Sequence, residues 1–165
     1  MAIWHFKFSL LPKKGILKEH TNIPLILNEY KENFVDSEKH VDDDFIDYWH
    51  DCNIAELEIR IQKLLPSIES WSTLMRLYGY EKGTKVEVWD DDINFKIDTR
   101  KPDYTFLKEI VNLAKDTNCL LTPLETGELI EPVFEKIIEE YQNSRAYRFT
   151  LDSDQVLDKV HSLNK

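Results

Sequence analysis

Glycine and proline are both scarce in this chain, with four and six residues in 165. That excludes a collagen-like repeat and a chain built of linkers, and an aromatic content of 12% speaks against intrinsic disorder. Long apolar runs are missing too. The opening Met1-Ala2-Ile3-Trp4-His5-Phe6-Lys7-Phe8 is interrupted by His5 and Lys7, so it lacks the apolar core of a secretory signal. No stretch approaches the roughly 20 apolar residues that span a bilayer. Cysteine is limited to Cys52 and Cys119, far apart and outside any CxxC pair, so two free, buried thiols are expected in a cytoplasmic protein. Positive charge is short as well: 21 basic side chains face 31 acidic ones, a net charge of −10. The basic groupings Lys13-Lys14, Arg100-Lys101 and Arg145 with Arg148 are small and scattered. Nucleic acid and anionic membrane surfaces are therefore excluded as expected partners.

Catalytic signatures are equally absent. Ser70 and Ser72 flank Trp71 and Ser144 stands near a helix end, but no GxSxG elbow exists. The glycines Gly15, Gly79, Gly83 and Gly127 form no phosphate-cradling array. Cys119 lies beside Leu120 and Leu121, the setting of an inert buried thiol. Asp90-Asp91-Asp92 lacks the spacing of a calcium loop and reads as a hairpin turn. Asp98 and Arg100 share the outward parity of a strand, as a surface ion pair or a substrate-binding arginine would. No cofactor is expected.

What is there is patterned for an α+β fold: a single domain over 1–165, with a mixed, mostly antiparallel sheet and helices packed on it. Trp4, Phe6, Phe8 and Leu10 alternate with polar residues as a half-buried strand, closed by Pro12 and a Lys13-Lys14-Gly15 turn. Ile23-Pro24-Leu25-Ile26-Leu27 reads as a short edge strand. Asn53 and Glu56 match a capping box for a helix ending before Pro66, although Ala55, Leu57, Ile59 and Ile61 also alternate as a strand would. A meander is expected over about 71–99. Trp71, Thr73, Met75 and Leu77 give one strand, Val86 and Val88 a second, and Ile93, Phe95 and Ile97 a third. Asp103 caps a helix buried through Phe106, Leu107, Ile110, Val111 and Ala114. Cys119 to Leu121 is a buried strand that, returning after a helix, is expected to pair in parallel. A helix opening at Pro132 buries Phe134, Ile137, Ile138 and Tyr141. Tyr147, Phe149 and Leu151 alternate as a last strand, and Ser153 or Asp154 caps a final helix carrying Val156, Leu157 and Val160.

Charge is concentrated in residues 29–58, where eleven carboxylates meet only Lys31 and Lys39. Phe45, Tyr48, Trp49 and Cys52 fall on one helical stripe, with Asp42, Asp43 and Asp44 in the first turn, where carboxylates suit the helix dipole. Asp47, His50 and Asp51 would then share a face and offer ligands to a divalent cation, although such spacing more commonly marks a solvated acidic face. A carboxylate field with aromatics interleaved steers and holds a basic protein. The expected partner-binding residues are Tyr30, Phe34, Asp36, Glu38, Asp42, Asp43, Asp44, Asp47 and Asp51.

From Pro66 through Val160, about 95 of the 165 residues, runs the progression Leu65-Pro66, Ser70-Trp71-Ser72, Tyr78-Gly79, Ile97-Asp98-Thr99-Arg100, Phe106-Leu107, Pro132 and Ser144-Arg145-Ala146. It resembles small acidic bacterial proteins of the toxin-immunity type. That resemblance implies a non-enzymatic inhibitor that covers a basic toxin, and it transfers no functional residue. The alternatives are a metal-assisted hydrolase or ligand-binding enzyme built on Asp47, His50 and Asp51, and a structural subunit of an assembly.

Overall fold

The computed structural model describes residues 4–31 and 46–152. In chain order it runs β1 (His5–Pro12), α1 (Lys13–Glu19), a short 3-10 turn (Asn28–Tyr30), α2 (Ile54–Leu64), β2 (Ser67–Ile68) and β3 (Arg76–Gly79). It continues through β4 (Lys85–Val88), β5 (Ile93–Asp98), α3 (Tyr104–Asp116), β6 (Cys119–Pro123) and α4 (Phe134–Asn143), and residues 145–152 are helical. The fold is α+β, around one sheet of order β2-β3-β4-β5-β1-β6.

Every pairing in that sheet is antiparallel, which corrects the expectation of a mixed one. Strand β6 does run in the same direction as β5 after the α3 crossover. The N-terminal strand β1 lies between the two and pairs antiparallel to both, through Phe8 with Phe95 and Leu10 with Leu121. Local sequence carries no sign of that insertion.

The alternation read in β1 sorts its side chains onto two faces. Phe6, Phe8 and Leu10 join Val86, Val88, Ile93, Phe95 and Ile97 beneath the apolar faces of α2, α3 and α4. Phe8 and Phe95, direct cross-strand partners, stack with ring centroids 5.0 Å apart. Each such side chain contributes about 1.5–3 kcal/mol through burial. On the opposite face Leu11 and Leu120 pack with Ile16, Leu27, Tyr30 and Tyr48.

Two caps behave as the sequence suggests, whereas the helix expected to open at Pro132 starts at Phe134, with Val133 at its N-cap and no side-chain cap bond. Asp103 accepts the Phe106 N–H at 2.9 Å, and Asn53 accepts the Ala55 N–H at 3.1 Å, so residues 54–64 are helix rather than strand. Other local readings are overturned. Lys13-Lys14-Gly15 opens α1 instead of a turn, and Gly15 is required there because a Cβ would stand 1.8 Å from the Tyr48 carbonyl oxygen. Of residues 23–27, only Ile26 makes a β-bridge, to Glu128. Residues 145–152 are helix, because Ser144 Oγ takes the Tyr147 N–H at 3.2 Å as an N-cap does. The expected final helix beyond Ser153 lies outside the described residues. Among the described residues no helix is long and apolar enough to cross a membrane.

Candidate interaction surface

The proposed acidic site divides at residue 45. Phe34, Asp36, Glu38, Asp42, Asp43 and Asp44, with Phe45, lie outside the described residues. Those that are described do not assemble as expected. Residues 46–53 form turns, not an amphipathic helix. The Asp47 carboxylate bends back to accept the Trp49 N–H at 2.9 Å, the local competition by which Asp disfavours helix. Asp51 takes a left-handed conformation, φ 64°, and pairs with Lys18 at 2.8 Å, with His50 3.6 Å away. Lys18 holds the Asp51 carboxyl below its ordinary range. Among the described residues no three His, Cys, Asp or Glu side chains converge to hold a metal ion, so Asp47, His50 and Asp51 are not a ligand set here.

Tyr30 and Tyr48 are both buried, and Tyr30 thereby loses its place as an interface residue. Its hydroxyl reaches the Asp92 carboxylate at 3.4 Å, and Asn94 Nδ2 donates to the same carboxylate at 3.3 Å. Burial pushes the Asp92 carboxyl up to about 6, against the bonds from the Ile93 N–H and Asn94. The Asp90-Asp91-Asp92 hairpin is thus also an anchor for the 3-10 turn. Tyr48 in turn donates to Glu29 and sits 2.9 Å from His20 Nε2.

Asp98 corrects another expectation. It is buried, and Arg100 grips both its oxygens at 3.0 and 2.7 Å while stacking over Trp4, 5.0 Å from the ring centre. The arginine is committed to fastening the end of β5. Cys52 and Cys119 are free thiols, as expected, but only Cys119 is buried, which pushes it up to about 11, while Cys52 is half-buried.

The strand expected from Trp71 begins only at Arg76. Serine hydroxyls take the backbone groups that a ladder needs. Ser70 Oγ accepts the Ser72 N–H at 3.2 Å and donates to the Ser72 carbonyl at 2.8 Å, while Ser72 Oγ accepts the Leu74 N–H at 3.2 Å. The resulting loop buries Met75 and turns Trp71 and Leu74 outward, 75% and 70% exposed. Trp71 meets the half-buried Trp89 edge to face, 5.8 Å between ring centres.

Beside this loop side chains are joined in a hydrogen-bond network. Arg76 binds Glu58 in a fork, Nε to Oε1 at 2.9 Å and Nη2 to Oε2 at 3.0 Å, and its Nη1 holds Asp90 at 2.8 Å. Tyr78 donates to the same Glu58 at 2.6 Å and receives the Gln62 amide at 3.0 Å. Burial alone would raise the Glu58 carboxyl, but the bonds from Arg76 and Tyr78 outweigh it and keep the group below its ordinary range. Arg76 is therefore occupied, whereas Asp90 remains 88% exposed and Glu69 and Asp91 are exposed too. Trp71 and Leu74 thus give this surface exposed apolar side chains, and Asp90 and Asp91 follow Trp71's ring partner Trp89 in the chain. The paired serines around Trp71 were the sequence signal for it, since they favour a turn over a strand.

A second feature is a cleft of about 390 Å³ between the start of α2 and the end of α3. Of its carboxylates Asp51, Glu56 and Asp116, Asp51 is engaged by Lys18 and Asp116 by Arg60 at 2.9 Å. Compared with known protein families, with curated proteins and with solved structures, the chain matches none.

Proposed function

We propose that the protein is a non-enzymatic binding protein of the immunity or antitoxin type, whose acidic surface neutralises a basic protein partner in the cytoplasm. The observation that carries this reading is the exposed pair Trp71 and Leu74, held out by a serine-braced loop. Monomeric proteins seldom leave a tryptophan three-quarters exposed beside a leucine of similar exposure, and tryptophan is enriched among the residues that carry binding energy. Glu69 precedes Trp71 by two residues, Asp90 and Asp91 follow its ring partner Trp89, and the nearby cation Arg76 is paired with Glu58 and Asp90; the whole molecule carries −10. Such a field accelerates encounter with a cationic surface and repels anionic competitors. A nuclease toxin presents such a cationic surface in its substrate groove. The resemblance along residues 66–160 to toxin-immunity proteins agrees with this role.

The test is co-expression with the polypeptide encoded beside the gene. Relief of that polypeptide's toxicity, with recovery of a stable complex, is the expected outcome. A neighbour that remains equally toxic and never copurifies removes the proposal.

A further inference from the structure

Resting on that reading, we infer that the Trp71–Trp89 corner is a receptor for an arginine-rich segment of the partner, with one guanidinium seated on the open Trp71 indole. An indole face attracts cations through its ring quadrupole, and a planar guanidinium also stacks on it. Trp71 presents its surface to solvent, while the edge-to-face contact with Trp89 fixes where the ring stands. Asp90 and Asp91 follow Trp89 directly in the chain and supply charge for the neighbouring cations of the same segment. Asp90 is placed by a chain of hydrogen bonds. Its Oδ1 is held by Arg76, which Glu58 holds in turn, so the carboxylate is positioned before the partner arrives. Arg76 is thus consumed in aiming an anion outward. Charge complementarity selects a basic occupant over a second copy of this acidic chain.

The experiment uses the full chain and a hexa-arginine peptide, with hexa-citrulline as the neutral isostere. Binding is followed by tryptophan fluorescence and by the indole N–H signals. Trp71→Ala is expected to weaken hexa-arginine binding about threefold or more. Asp90→Asn with Asp91→Asn is expected to weaken it further and to flatten its salt dependence. Hexa-citrulline is expected to bind the wild type no better than hexa-arginine binds the Trp71→Ala variant. An unchanged melting temperature in Trp71→Ala, at so exposed a position, shows that the fold is intact. Equal binding of hexa-arginine by wild type and Trp71→Ala, equal binding of the citrulline peptide, or no measurable binding overturns the receptor. If the wild type and Trp71→Ala protect equally against the neighbour-encoded toxin, the inhibitor reading stands on another surface. If peptide recognition depends on Trp71 but the wild type gives no protection, the inhibitor reading is the one that fails.

Discussion

Replacing Asp92 by Asn isolates the energetic consequence of burying a carboxyl under the 3-10 turn. The Asp92 carboxyl rises from an ordinary value of 3.8 to about 6, chiefly because burial disfavours its charge. A shift of that size corresponds to about 3 kcal/mol between the two protonation states. The sign follows from linkage. The folded protein holds this proton more tightly than the unfolded chain does, so the group destabilises progressively as pH rises from about 4 to about 6, and fully above that. About 2 kcal/mol of the loss falls between pH 4.5 and 7.5. Asparagine is never charged and keeps an oxygen for the Asn94 amide, while its own amide can donate to the Tyr30 hydroxyl. Urea unfolding of both proteins at the two pH values gives the answer as a difference of differences, which cancels every other titrating group. The variant should gain about 2 kcal/mol relative to wild type on moving from pH 4.5 to 7.5. A difference that does not change with pH refutes the argument, because Asp92 would then be solvated as well in the folded chain as in the unfolded one.

Three further outcomes follow from single residues. Gly15→Ala places a methyl 1.8 Å from the Tyr48 carbonyl oxygen and should destabilise by about 3 kcal/mol, read by urea unfolding; a loss under about 1 kcal/mol would contradict that close approach. Asp103→Ala removes the acceptor for the Phe106 N–H at the start of α3 and should cost about 1 kcal/mol in the same assay. With a thiol reagent at pH 8, half-buried Cys52 should react readily, while Cys119, buried and pushed up to about 11, should react only after urea is added; simultaneous reaction would contradict its burial.

The elements most legible in the sequence are those whose periodicity and cap agree. Asp103 followed by Phe106, Leu107, Ile110, Val111 and Ala114 leaves little choice but helix, and Ile93, Phe95 and Ile97 little choice but strand. Where local signals conflicted, tertiary contact decided. Gly15 looks like a turn residue, yet it lies in α1 because the Tyr48 backbone crosses there, an approach that only the folded chain brings about. Tyr147, Phe149 and Leu151 alternate like a strand, but their segment is a helix in which Tyr147 packs on Tyr141 and Phe149 on Trp4. The Ser144 cap was the local clue. Trp71 shares strand parity with Thr73, Met75 and Leu77, but the serines that flank it bind the local backbone and hold a loop. The charge surplus of residues 29–58 was legible as composition, but pairing was not: Asp51 and Glu58 are matched by Lys18 and Arg76 from elsewhere in the chain.

The central claim is that a basic protein is drawn to this molecule by its negative field and held at an exposed tryptophan. Stopped-flow association with the neighbour-encoded protein, across 0.05 to 0.5 M salt, tests both parts at once. The rate should fall steeply as salt rises in the wild type, and Trp71→Ala should leave the association rate nearly unchanged while speeding dissociation. A rate indifferent to salt, with a complex whose lifetime ignores Trp71, would contradict the account.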